Sequence, residues 1–153
     1  MLRVAKLEAI LNYDLKTKIR SIERTIDELC GQLLHINNDL VRLVNATVSG
    51  YLLSEDPTPM FRLDRAATNE HLATTCLEYL SGNEMRPPRH PALLSKPVSR
   101  SPFLDYACTS FSEHLAASAS GSDQLLLLVN KFLRGNILSW VEYILREKQT
   151  FTI

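Results

Sequence analysis

Glycine is scarce, and none of the five stands in a G-x-x-x-x-G-K-[ST] run. A nucleotide site of that kind needs successive backbone N–H groups laid bare around a phosphate, so it is excluded. Cysteine is scarcer still. Cys30, Cys76 and Cys108 stand singly in apolar stretches, with no C-x-x-C pair and an odd total, which is the pattern of reduced core residues. The four histidines, His35, His71, His90 and His114, have no spacing that converges on a metal, and the G-x-S-x-G turn of a serine nucleophile is absent. Charge of one sign is lacking too. Lys+Arg and Asp+Glu are both 17, so no net field gathers phosphate or anionic lipid. The longest apolar run, Leu125 to Val129, is far short of the roughly 20 residues of a bilayer span. Charges interrupt MLRVAKLEAILNYDLK every few residues, which excludes the apolar segment of a secretory signal. A cytoplasmic location follows, one in which the Asn45-Ala46-Thr47 sequon goes unmodified.

A chain 45% hydrophobic and 22% charged has the balance of a folded protein. Its 153 residues hold one compact domain, or a small domain with an appended helical subdomain. A short helix is expected over Leu2 to Asn12. Leu15, Ile19, Ile22, Ile26 and Leu29 then recur in steps of four and three, placing one stripe on a single helix over 15–29 with Lys16, Lys18, Arg20, Glu23, Arg24 and Asp27 opposite. Cys30-Gly31 ends it. Two apolar runs flank Asn37-Asn38-Asp39, residues that tolerate the positive φ of a tight hairpin turn. Helical spacing returns over Ala46 to Leu53, and Pro57 and Pro59 stop it. Helix, hairpin and helix together have the outline of the end of a winged helix.

Asp64 caps a helix over Arg65 to Leu80, closed by Ser81-Gly82. Residues 81–101 carry four prolines and a surplus of base over acid, a loop outside regular structure. Ser101-Pro102 opens another helix, with Leu104, Cys108, Phe111 and Leu115 inward. Asp123 caps the helix bearing Leu125, Leu126, Leu128, Val129, Phe132 and Leu133, Gly135-Asn136 breaks it, and a last helix with Ile137, Leu138, Val141, Ile144 and Leu145 runs to about Arg146. Glu70-His71 and Glu113-His114 invite an acid/base reading. Adjacent helical residues point about 100 degrees apart, however, so both pairs read as boundary positions. Trp140 on its amphipathic helix reads as a core anchor.

Four ordered blocks carry a family likeness. They are Asp39 to Val48 with Tyr51-Leu52-Leu53; His71-Leu72-Ala73 with Cys76 to Leu80; Phe103 to Ala107 with His114; and Asn136 to Ile144. Together they resemble the region that follows the NACHT ATPase in fungal NOD-like, or STAND-class, proteins. There a GPI-inositol-deacylase-type winged helix leads through a helical segment to ankyrin, WD or TPR repeats. The resemblance implies that residues 1–53 are the C-terminal part of the winged helix. It makes 54–80 and 102–149 the helical connector, with 81–101 a proline-rich basic loop. Relatives usually carry His at the position of Asn45. Against that family Met1 lies after the ATPase and no repeat array follows Ile153, so the chain is expected to be a fragment lacking both, and no ATPase residue carries over.

The expected fold is therefore mainly α with one small β-hairpin, a partial winged helix followed by a helical bundle. The expected function is a non-catalytic regulatory or protein-interaction module without cofactor or metal. Its partner would be another protein, a second copy, or, as in the relatives, the ATPase and repeats of the same chain. The faces expected to make contact are Leu15, Ile19, Ile22 and Ile26 on one helix and Phe132 and Trp140 near the C-terminus. The alternative is a nucleic-acid-binding winged helix that sets Arg42, Lys16, Lys18, Arg20 and Arg24 on phosphates, with acids alternating among those bases. A hydrolase assembled from scattered Ser, His and Asp has no motif behind it.

Overall fold

The computed structural model describes residues 2–31, 33–53, 63–85, 101–118 and 122–149. The chain divides into two compact units, Met1–Arg65 and Ala66–Ile153. In order, the elements are β1 (Leu2–Arg3), α1 (Val4–Asp14), α2 (Ile22–Leu29), β2 (Leu34–Asn37), β3 (Leu40–Leu43), α3 (Ala46–Leu52), α4 (Arg65–Leu80), α5 (Pro102–Ala117), α6 (Asp123–Gly135) and α7 (Ile137–Gln149).

In the first unit the hairpin is closed by Asn38 and Asp39, with φ of 50° and 63°. Positive φ at both central residues is what a two-residue turn between twisted antiparallel strands requires. Leu34 pairs with Leu43 and Asn37 with Leu40, and exposure alternates along β2, so Leu34 and Ile36 face inward. The sheet has a third strand that helical spacing at the N-terminus concealed. Leu2 pairs with Val41 and Arg3 with Leu40, in the order β1-β3-β2, and α1 begins immediately afterwards. Val4, Ile22 and Ile26 form the centre of the core, with Leu7, Leu11, Ile19, Cys30, Leu34, Ile36 and Val41 against it.

The single helix expected over 15–29 is not present. Leu15 caps α1, Lys16 turns to φ 51°, and its ammonium lies 3.8 Å from the centre of the Tyr13 ring. The Ile19 amide donates to Asn12 Oδ1 at 2.6 Å, and α2 starts afresh at Ser21, whose Oγ accepts from the Arg24 amide. A serine in that role supplies one of the acceptors that a helix N-terminus lacks. The apolar spacing survived the break because only its middle members, Ile19, Ile22 and Ile26, reach the core. Leu15 and Leu29 are 58% and 80% exposed. At the far end Cys30 caps α2 and Gly31 takes φ 50°, as the sequence required.

The second unit is helical. α4 buries Ala73, Cys76, Leu77, Tyr79 and Leu80, and α5 buries Phe103, Leu104, Ala107 and Cys108. Tyr79 and Phe103 join these helices, ring centres 4.6 Å apart. Phe111, Phe132 and Trp140 meet edge to face at 5.4–6.3 Å, tying α5, α6 and α7 together. Ser101 caps α5 as expected, its Oγ accepting from the Phe103 amide. The cap of α6, however, is Ser122 rather than Asp123, which occupies the first turn, where its charge favours the dipole. Residues 83–85, expected in an irregular loop, form a 3-10 turn with Met85 buried. The rest of that loop, 86–100, lies outside the described residues, as do Pro57 and Pro59.

Two polar residues, Thr75 and Asn136, are buried in this unit, and the second explains how it turns its last corner. Asn136 separates α6 from α7, is 3% exposed, and donates both Nδ2 hydrogens to the carbonyls of Leu80 at 2.7 Å and Gly82 at 3.1 Å. Leu80 ends α4, and the last carbonyls of a helix have no partner within it. Asn136 supplies that partner.

Candidate functional site

Three arrangements stand out beyond the cores. The first is the surface of α2 and the hairpin. Arg42 is exposed on β3, but α2 itself carries Glu23, Asp27 and Glu28 against Arg24 alone. Arg24 is further committed to Glu28, Nε to Oε1 at 2.6 Å, between two exposed side chains. A helix with more acid than base repels a phosphate backbone. Asn45, the position where the resembled family usually carries His, caps α3, its Oδ1 accepting from the Thr47 amide at 3.1 Å.

The second is a line of leucines at the C-terminal end. Leu138 (81% exposed), Val141 and Leu145 (56% exposed) are spaced by three and four along α7, so they share one outward face. Glu142 and Arg146 pair beside them, a turn apart. On α6, Leu126, Leu127 and Leu133 are exposed as well. The residues singled out from sequence lie elsewhere. Ile22, Ile26 and Phe132 are 2%, 3% and 1% exposed and fill cores, and Ile19 is half-buried against one of them. Trp140 is half-buried, its indole N–H donating to the Cys108 carbonyl at 3.0 Å, and Leu15 alone of the six lies open. Apolar spacing does not say which face of a helix is covered, and here it selected the inner one.

The third joins α4 to α5. His114 receives the Tyr106 hydroxyl at Nε2, 2.6 Å away, and its Nδ1 lies 2.8 Å from Asn69 Oδ1. Because Oδ1 can only accept, Nδ1 carries the hydrogen and Nε2 presents its lone pair to the phenol. In sequence His114 stands beside Glu113 and reads as a boundary residue. Its true partners are eight residues back on the same helix and 45 residues away on another, and only the first of these was within reach of a spacing argument. A hydroxyl, an imidazole and an orienting amide in a row have the order of a nucleophilic triad. The phenol is tuned the wrong way, however: burial, then the fields of Cys76 and Glu113, push Tyr106 up to about 12. Desolvation lowers His114, against an opposing pull from Glu113.

Among the described residues, no three of His, Cys, Asp and Glu come together as a metal-binding group, and no helix is long and apolar enough to cross a membrane. None of the three cysteines is in a disulfide. Neither a comparison with curated proteins nor one with solved structures finds a match to the chain. A comparison with family models does: residues 1–64 match the family described as GPI inositol-deacylase, winged helix domain, so the fold is a winged-helix unit followed by a helical bundle.

Proposed function

We propose that the chain is a non-catalytic regulatory module that binds protein, and that it works beside the NACHT ATPase and repeat domains of a signalling protein of the fungal NOD-like class. The observation that carries this reading is the outward face of α7, where Leu138, Val141 and Leu145 stand exposed at helical spacing. Removing such side chains from water is the main source of free energy in protein association. The winged-helix match supports the setting, because the resembled proteins place that domain after their ATPase. The excess of acid on α2 favours a protein partner over nucleic acid.

The test begins with the full transcript. An in-frame phosphate loop ahead of Met1 identifies the ATPase, which is then titrated with this chain by calorimetry. Leu138→Glu and Leu145→Glu are expected to weaken that binding about tenfold or more, since each sets a charge on a face that must lose water. A transcript without a phosphate loop removes the signalling assignment, and equal affinity across the variants removes the face. Duplex DNA in the same assay is expected to bind no better than non-specifically, with affinity falling steeply as salt is raised.

A further inference from the structure

We propose that two copies of the chain join along the free edge of β2, strand to antiparallel strand about a twofold axis, so that their sheets run on as one. The hairpin's own hydrogen bonds decide which groups that edge offers. Asn37 and Leu40 flank the two-residue turn, and in step with them the Val44 amide donates to the Leu33 carbonyl at 3.0 Å. His35–Arg42 and Asn37–Leu40 are therefore the pairs that exchange backbone bonds. Leu34 and Ile36 alternate with them, so their N–H and C=O groups point away from β3, and β2 is the outer strand of the sheet. Among the described residues nothing bonds to those groups. Unpaired backbone donors and acceptors at strand spacing are matched by another extended strand.

Sequence and charge make that strand a second copy. Leu34, His35 and Ile36 read apolar, polar, apolar in both directions, with the two apolar side chains on the core side of the sheet. An antiparallel copy centred on His35 sets Leu34 against the partner's Ile36 and Ile36 against the partner's Leu34, each pair exchanging both backbone bonds. The apolar side of one sheet then continues into that of the other. Charge is matched as well. β2 holds no Lys, Arg, Asp or Glu, so no like charges meet across the axis. It also lacks the charge, proline or bulge by which exposed edges ordinarily refuse a partner. The opposite edge offers no such site, since β1 is two residues long and passes directly into α1. The joint draws on no residue of α7.

In this register His35 stands opposite the partner's His35, with Cα atoms about 4.5 Å apart, so the charge at this exposed position is the probe. Sedimentation equilibrium of the full chain over a concentration series is expected to show a reversible dimer. His35→Lys and His35→Glu each set like charges across the axis and should raise the dissociation constant about tenfold or more, whereas an equimolar mixture of the two should regain the dimer. In hydrogen exchange of the unaltered chain the Leu34 and Ile36 amides should slow as concentration rises, while the His35 amide, already bonded to Arg42, stays as it was. A chain that is monomeric throughout overturns the proposal. So does a dimer that ignores the charge at 35, and its loss with Leu138→Glu would then place the contact on α7. Should a charged variant unfold the chain, exchange in the unaltered protein decides: Leu34 and Ile36 rates that do not depend on concentration overturn the β2 joint.

Discussion

Replacing Asn136 tests the corner between α6 and α7 most directly, because the two obvious substitutions separate a lost bond from an inserted charge. Asn136→Ala removes two donors from the Leu80 and Gly82 carbonyls and leaves a small void. A typical internal hydrogen bond contributes about 0.5–1.5 kcal/mol net, so the loss is about 1–3 kcal/mol. Asn136→Asp keeps the shape and reverses the chemistry. A carboxylate would then face two carbonyl oxygens at a site 3% exposed, and an uncompensated buried charge costs about 3–5 kcal/mol. That carboxyl would hold its proton above the usual range, so the folded state binds more protons than the unfolded one. The deficit should shrink as pH is lowered toward 4, where the carboxyl can donate one hydrogen. Urea unfolding followed by Trp140 fluorescence reads all of this, since the one tryptophan belongs to the same unit. In a thermal scan each 1 kcal/mol shifts the Tm by roughly 4–8 °C for a domain of 60–100 residues. An alanine variant within about 0.5 kcal/mol of the parent, or an aspartate variant no worse than the alanine, would refute the reasoning.

Gly31→Ala places a side chain at φ 50° with open space around it, so its cost is purely conformational, about 1 kcal/mol in urea; an unchanged midpoint would count against the αL cap. Ser21→Ala deprives the Arg24 amide of its acceptor and should cost about 1 kcal/mol, with backbone exchange accelerated in the first turn of α2 and not in α1. Burial pushes the Cys76 thiol up to about 12, so iodoacetamide near pH 8 should leave it unmodified in the folded chain and label it as soon as urea unfolds the protein. Labelling at equal rates in both states would contradict its burial.

What could be read from the sequence was local. Asn38-Asp39 and Gly31 announce positive φ by residue type, Ser101-Pro102 announces a helix start, and Gly135-Asn136 a break, and each stands where it was expected. What escaped depends on distant partners. β1 is two residues long and exists only because β3 offers it an edge, so no periodicity of its own could show it. The stripe from Leu15 to Leu29 keeps helical spacing straight across the break before α2, so the spacing by itself gives no sign of the new start that Ser21 caps. In sequence Asn136 shows only as part of a helix break, because its bonding role lies in carbonyls more than fifty residues away. His114 has Glu113 beside it in sequence, whereas its ring nitrogens meet Asn69 and Tyr106.

The two-residue turn at Asn38 and Asp39 also governs how this hairpin can change over time. Side chains on a strand alternate, so a one-residue insertion or deletion that shifts the pairing turns His35 and Asn37 inward and Leu34 and Ile36 out to water. Lineages can therefore lengthen this wing in paired steps that keep the parity of its faces, whereas a single-codon length change at the tip is purged unless a bulge absorbs it.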